Sequence, residues 1–193
     1  MRDIRGGHTI ASDGRVLVCD NTDGNELLVY QKKGDGYSKI QVVEGVLGRP
    51  HYVVYSEEYK CFFVIASMLG KIYEFKNVDD VLEWTNTYEL SEIVGSYVRS
   101  ITLIDGDLYT VSGPGKIYRY NVENDFALVS EYEVPDDLYG MNNIKKIGNY
   151  FYITSNSDID GNLNAAKIIR VTNLNELSSG NYEVLNTKLK VES

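Results

Sequence analysis

The sequence has few residues that cross-link or rigidify a small fold. It contains two cysteines, three prolines and one tryptophan among 193 residues. Cys19 and Cys61 lie in separate apolar runs, and this spacing fits neither a zinc site nor a disulfide framework. Each is typical of a small core residue. A chain of this length can bury roughly 70% of its unfolded surface, so it needs no disulfide or structural metal to fold.

Long hydrophobic runs and an excess of positive charge are also lacking. The longest apolar run, Cys61–Ala66, is far shorter than the roughly 18 residues of a membrane span. The first residues contain no apolar stretch typical of a signal peptide. The net charge is −9, with no basic stripe along the chain. We therefore expect neither nucleic-acid binding nor membrane binding, and the sequence does not indicate a cellular compartment.

The residues that are abundant point to strands and tight turns. The chain has sixteen tyrosines and seventeen glycines, and its short apolar runs are rich in Val, Ile, Phe, Tyr and Thr. Gly, Asn and Asp lie between these runs, as at Ser12–Arg15 and Ile104–Asp107. This pattern predicts β-strands connected by hairpin turns.

A doubled motif gives these strands a period. GKIYEF at Gly70–Phe75 recurs as GKIYRY at Gly115–Tyr120, 45 residues later. Alignment on this motif yields four third strands, which are Glu26–Gln31, Lys71–Lys76, Lys116–Asn121 and Lys167–Thr172. First, second and fourth strands follow around each, giving four units with a period of about 43 to 51 residues. The predicted units are 7–46, 47–95, 96–139 and 140–189. A short helical turn is expected after the third strand at both Asn77–Leu82 and Asn173–Leu177.

Four-stranded units at this period predict an all-β fold, a β-propeller of four antiparallel blades. The chain resembles the broad superfamily of β-propeller repeats through its blade pattern and its GKIY-like third strands. It has no WD dipeptide, no repeated Kelch double glycine and no Asp-box, so the resemblance implies a fold and no catalytic residue. A two-sheet sandwich is the alternative, and it is disfavoured because it predicts no fixed period.

Closure of the ring stays open at this level. Four blades are the smallest number typical of propellers. The chain is therefore interpreted as part of a larger propeller, as an arc closed by another chain, or as a closed four-blade ring. The first interpretation is favoured, and both open forms predict self-association or further blades, because blade faces left bare would expose apolar surface.

The repeat also predicts a polar ring at the centre of the propeller. The aligned starts of the four inner strands are His8, His51, Arg99 and Asn142. The aligned ends of the second strands, expected on the same side, are Asp20, Ser67, Ser112 and Asn156. His and Arg bind carboxylates and phosphates, so we expect these eight residues to bind an anionic sugar or a peptide. The alternative is a solvated opening without a ligand.

One loop resembles a metal-binding pattern. Asn156, Asp158 and Asp160 supply side-chain oxygens at alternate positions before Gly161, as calcium loops do. The position of the closing glutamate is taken by Lys167, which favours an Asx turn instead. We expect no cofactor, with calcium at this loop as the alternative.

Two functions fit these features. The favoured one is a non-enzymatic propeller that binds a ligand or a protein at a polar channel. The alternative is a hydrolase or lyase acting on an anionic carbohydrate, in which His8 or His51 is the general base and Arg99 holds the substrate carboxylate.

Overall fold

The chain forms sixteen strands in the part that the structure, a computed structural model, describes: residues 6–20, 25–46, 48–94, 97–112, 115–158, 160–161 and 166–185. The first two sheets contain β1 (His8–Ile10), β2 (Val16–Asp20), β3 (Glu26–Lys33), β4 (Gly36–Val43), β5 (Pro50–Ser56), β6 (Cys61–Ala66), β7 (Lys71–Val78) and β8 (Val81–Glu89). The last two contain β9 (Val98–Ile104), β10 (Asp107–Ser112), β11 (Lys116–Asn121), β12 (Ala127–Glu133), β13 (Met141–Ile147), β14 (Tyr150–Ser155), β15 (Lys167–Val171) and β16 (Glu183–Leu185).

These strands build a β-propeller of four blades. Each sheet holds four consecutive antiparallel strands in chain order. The first strands of successive sheets contact one another, β1 with β5, β5 with β9, and β9 with β13, so they line the centre. The all-β propeller fold predicted from the repeat is confirmed.

The third strands confirm the alignment of the doubled motif. Their first residues are Glu26, Lys71, Lys116 and Lys167. In each blade these residues pair with the last residue of the second strand, Asp20, Ala66, Ser112 and Ser155. The four blades therefore share one register through their second and third strands.

Three apolar clusters hold the blades together, one at each contact between successive blades. They contain Leu27 between the first two blades, Ile72 between the second and third, and Ile117 between the third and fourth, and each of these is 0% exposed. β6 is buried on both faces because alternate residues belong to different clusters. Cys19 and Cys61 are free thiols within these clusters, and burial raises the pKa of Cys61 to about 12.

One local prediction is wrong. Asn77–Leu82 forms a hairpin instead of a helical turn, because Asp79 and Asp80 adopt positive φ angles of 47° and 68° between β7 and β8. Two consecutive left-handed residues give the tight turn that matches strand twist. The second predicted turn is a 3-10 helix at Leu174–Ser179, and the Asn173 side chain caps it by accepting from the Asn175 backbone N–H.

The remaining helical segments are short. Within the described ranges they are 3-10 turns at Ser91–Ile93 and Asp136–Leu138. Among the described residues, no helix has the length and apolarity of a transmembrane span. The predicted end of the last blade, 186–189, lies outside the described residues.

Candidate functional site

Three inner strands carry the same irregularity at one end of the channel. The pairing of β5 with β6 shifts between Pro50 and Tyr52, so His51 is a bulged residue. The corresponding shifts place Arg99 in a bulge of β9 and Asn142 in a bulge of β13. A bulge re-aims its side chain away from the ordinary alternation of a strand. His51, Arg99 and Asn142 come together at this end of the channel.

His8 lies elsewhere. His8 pairs with Val18 of the second strand. Val18 and Val64 occupy the same position in the second strands of their blades, and Val64 pairs with Val53. His8 is therefore equivalent to Val53 and sits two positions further along its inner strand than His51. It lines a separate part of the channel with Tyr55 and Lys145. The sequence alignment missed this shift because the first inner strand begins with Gly6 and Gly7, so that His8 is its first polar side chain.

Two hydrogen bonds connect the three bulged residues. The Arg99 guanidinium donates through Nη1 to Asn142 Oδ1 at 3.1 Å. His51 Nδ1 lies 2.8 Å from the backbone oxygen of Arg99. A carbonyl oxygen only accepts, so Nδ1 carries the proton. In the neutral ring, Nε2 is then the acceptor.

Arg49 and Tyr97 extend this cluster. The Arg49 Cζ lies 5.4 Å from the centroid of the Tyr97 ring and the Arg99 Cζ lies 6.0 Å from it. The His51 ring meets the same tyrosine edge-on, with centroids 5.2 Å apart. Cations within about 6 Å of an aromatic centroid are attracted to it. Tyr97 therefore gathers three basic side chains at one place.

The cluster is positively charged within an acidic protein. In the described ranges no carboxylate forms an ion pair with Arg49 or Arg99. Arg99 Nε is buried and has no hydrogen-bond partner in the described part of the chain. Burial lowers the pKa of His51, and the charges of Arg49 and Arg99 lower it further, against the opposing effect of the Arg99 carbonyl.

A cavity of about 430 Å³ lies beside these residues; we call it the channel mouth. It is lined by Gly6, Gly7, His51, Tyr52, Arg99, Asn142, Asn143 and Thr154. Its floor is polar, because the Asn143 amide donates to the Tyr52 hydroxyl at 3.1 Å and the Thr102 hydroxyl donates to Asn143 Oδ1 at 3.3 Å. The channel mouth thus combines the Arg99 guanidinium with amide and hydroxyl groups, which suits a small polar anion.

The predicted second-strand residues do not share one position. Asp20 and Ser112 end their strands, whereas Ser67 and Asn156 lie one residue beyond theirs. Asp20, Ser67 and Ser112 are 0% exposed. The Ser112 hydroxyl donates to the Lys116 backbone oxygen at 3.3 Å. None of the four lines the channel mouth, and their ligand role stays a prediction.

Ser67 supports the site indirectly. Its backbone N–H and its hydroxyl both donate to the Arg49 backbone oxygen, at 3.2 Å and 3.1 Å. Arg49 has a φ of 64°, a conformation that few non-glycine residues adopt. These two bonds hold the strained residue beside Tyr97.

The predicted calcium loop forms an Asx turn at its centre. The Asp160 backbone N–H donates to Asp158 Oδ1 at 3.1 Å, and the Gly161 N–H donates to the Asp158 backbone oxygen at the same distance. Asn156 Oδ1 is buried. Within the described ranges, no group of three or more His, Cys, Asp or Glu side chains is arranged to hold a metal ion. Calcium binding by Asn156, Asp158 and Asp160 stays a prediction.

Sequence reasoning missed Arg49, Tyr97 and Asn143. A signal existed for Arg49, since Arg49-Pro50-His51 places two basic residues around the proline that begins an inner strand. Tyr97 is one of sixteen tyrosines, and nothing in its neighbours distinguishes it from those that pack between blades.

Comparison with known proteins supports the fold. No family model and no curated protein sequence matches this chain. Solved structures do match. A Lactobacillus plantarum protein has 18% identity and a TM-score of 0.65 over 94% of this chain and 54% of its own. A putative 6-phosphogluconolactonase from Bacteroides uniformis has 17% identity and a TM-score of 0.62 over 94% of this chain and 53% of its own.

A third match is the Myxococcus xanthus glutaminyl cyclase, with 11% identity and a TM-score of 0.60 over 88% of this chain and 66% of its own. At these identities the likeness shows the propeller fold alone. The chain spans only about half to two thirds of the length of these three structures.

Proposed function

We propose that this protein binds the anionic group of a small polar ligand, a carboxylate or a phosphate, at the channel mouth. The observation that carries the proposal is the pair of guanidinium cations, Arg49 and Arg99, that lie with His51 around Tyr97 and form no ion pair with a carboxylate in the described ranges. Such a cluster in a protein of net charge −9 creates a local positive potential that favours anions.

The polar lining narrows the ligand class. Asn142, Asn143 and Thr154 present amide and hydroxyl groups beside the cations, and sugar hydroxyls would pair with them. A uronate or a sugar phosphate offers both an anion and hydroxyls, and it fits a cavity of about 430 Å³. We therefore favour an anionic sugar over an acidic peptide.

Calorimetry with a panel of uronates, sugar phosphates and short acidic peptides tests this proposal. A charge-assisted hydrogen bond from Arg99 contributes about 1.5–3 kcal/mol, so Arg99→Ala should weaken binding by roughly ten- to a hundredfold. The matched control is Arg170→Ala. Arg170 also lies over a tyrosine, with its Cζ 4.9 Å from the Tyr150 centroid, but Glu183 pairs with it at 2.7 Å. No binding by any panel member, or equal binding by wild type and Arg99→Ala, would refute the proposal.

A hydrolase role is the second candidate, and the tautomer of His51 favours it. Since Nδ1 donates to the Arg99 carbonyl and burial lowers the ring's pKa, a neutral Nε2 is available as a general base near pH 7. Two similar structures carry enzyme names, a putative 6-phosphogluconolactonase and a glutaminyl cyclase. The hydrolase role would be supported if wild type turned over sugar lactones or esters and His51→Gln lost this turnover while it still bound the anion. Anion binding without turnover of any such substrate would leave the binding function alone.

A further inference from the structure

In the first and the last blade, one face is more exposed than the equivalent face of the other blades. In each of the first three blades, the face toward the next blade carries one residue of the second strand that pairs with one residue of the third strand. These pairs are Cys19 with Leu27, Ile65 with Ile72, and Val111 with Ile117. All six are 0% exposed. The equivalent pair in the last blade, Thr154 with Ile168, is only partly buried.

The first blade shows the complementary exposure. On the face toward the preceding blade, Val64, Thr110 and Ile153 of blades two to four are 0% exposed. The equivalent Val18 is partly exposed, as is Tyr30 on the same face, although Leu28, which pairs with Val18, is only 4% exposed. Ile10, also on this face, is 60% exposed.

The outward faces of the terminal blades also match in position. Ile147 ends the inner strand of the last blade and is 63% exposed. Ile10 ends the inner strand of the first blade. Within the chain, the face that is exposed in the last blade packs, in each earlier blade, on the face of the following blade that is exposed in the first blade. This contact occurs three times.

We propose that a second copy of this chain covers both faces, so that two copies close one eight-blade ring. The last blade of each copy would pack on the first blade of the other, repeating the contact that each copy already makes three times. Eight blades lie within the range that propellers adopt, and two equivalent head-to-tail contacts related by a twofold axis close without leaving a free face.

The two outward faces themselves favour a second copy as the occupant. Each copy carries both halves of a contact that already forms between its own successive blades in three places. The net charge of −9 per copy opposes association, so apolar contact must drive it, and added salt should strengthen it.

Sedimentation velocity on the wild-type chain and on surface variants tests the proposal. Wild type should form a dimer, and it should dissociate less at 0.5 M than at 0.05 M salt. Ile10→Asp and Ile147→Asp should each weaken dimerisation at least tenfold, because a carboxylate would replace an apolar contact in both interfaces. Val129→Asp is the control, since Val129 is 47% exposed on β12, the outermost strand of an internal blade. Circular dichroism should show that all three variants stay folded.

Mixing the variants distinguishes a head-to-tail ring from other dimers. The Ile10→Asp copy keeps an intact last blade and the Ile147→Asp copy keeps an intact first blade. An equimolar mixture therefore retains one unaltered interface and should associate more strongly than either variant alone. A wild-type monomer at all concentrations, open-ended filaments, or a dimer insensitive to either variant would overturn the proposal.

Discussion

The side-chain amide of Asn143 donates a hydrogen bond to the hydroxyl of Tyr52, with 3.1 Å between nitrogen and oxygen. Asn143 belongs to the last blade and Tyr52 to the second, so the bond crosses the centre of the propeller. The Tyr52 ring also fills the space beside Gly7 of the first blade. Tyr52 thus joins the floor of the channel mouth to three blades, counting its own.

Loss of the Tyr52 hydroxyl should destabilise the protein measurably. Tyr52→Phe keeps the ring but leaves the Asn143 amide without its acceptor, and we expect the free energy of unfolding to fall by about 0.5–1.5 kcal/mol. Urea denaturation measures this change. Tyr55→Phe, on the same strand, is the control, because the Tyr55 ring packs on Phe62 and its hydroxyl has no hydrogen bond in the described part of the chain. Equal losses in both variants would argue against the bond.

A methyl group at Gly7 should clash with the same ring. A Cβ built there would lie 2.5 Å from the nearest Tyr52 ring carbon. The Gly7 backbone cannot easily yield, because its N–H donates to the His51 oxygen at 2.6 Å and its carbonyl accepts from the Cys19 N–H at 2.9 Å. We expect Gly7→Ala to cost about 1–3 kcal/mol. In a Tyr52→Ala background the cost should fall sharply, and an additive double-mutant cycle would contradict this account.

Equivalent isoleucines should differ in cost according to blade position. Ile117 and Ile168 both follow the first residue of a third strand, but only Ile117 is enclosed by a following blade. At a protein concentration low enough to give monomers, Ile117→Ala should lower the free energy of unfolding by about 2–5 kcal/mol. Ile168→Ala should cost less than half as much. Similar costs would mean that the last blade is as well covered as the others.

The sequence could predict the period of the four-stranded units because the same residue types recur wherever a strand is paired and buried in the same way. Gly70-Lys71-Ile72-Tyr73 and its copy begin third strands, and Ile72 and Ile117 occupy matching buried positions. The run Phe151–Thr154 in β14 is apolar enough for burial on both faces, yet only Ile153 of these four residues is fully buried. Burial there depends on a following blade, and no local pattern specifies one.

The site was only partly predictable for a different reason. His51, Arg99 and Asn142 were aligned correctly because all three blades carry the same bulge. His8 was misplaced by two positions, since the first inner strand begins with Gly6 and Gly7 where the others place polar side chains. Arg49 reaches Tyr97 through a left-handed backbone conformation that Ser67 supports, and such tertiary contacts leave no periodic trace.

Anion binding at the channel mouth should strengthen on acidification through His51. Burial and the two neighbouring guanidinium groups lower the His51 pKa below the ordinary value of 6.5, so the ring is neutral at pH 7.5. A bound carboxylate favours the charged ring, and binding therefore takes up a proton. Affinity should rise by about three- to tenfold between pH 7.5 and 5.5, with most of the rise below pH 6.5, because an ionic hydrogen bond then forms.

Calorimetry with a uronate checks this prediction, because a carboxylate of ordinary pKa near 4 stays ionised across that range. His51→Gln should bind with an affinity that changes little with pH, since its amide does not titrate. The same variant also tests the effect on folding. A histidine whose folded pKa is lowered stabilises the protein above pH 6.5 and loses that contribution as the pH falls toward the folded value. Wild type should therefore lose stability relative to His51→Gln on acidification in the absence of ligand, and a uronate should reverse part of that loss. An affinity for uronate that rises equally in wild type and in His51→Gln would assign the pH dependence to another group.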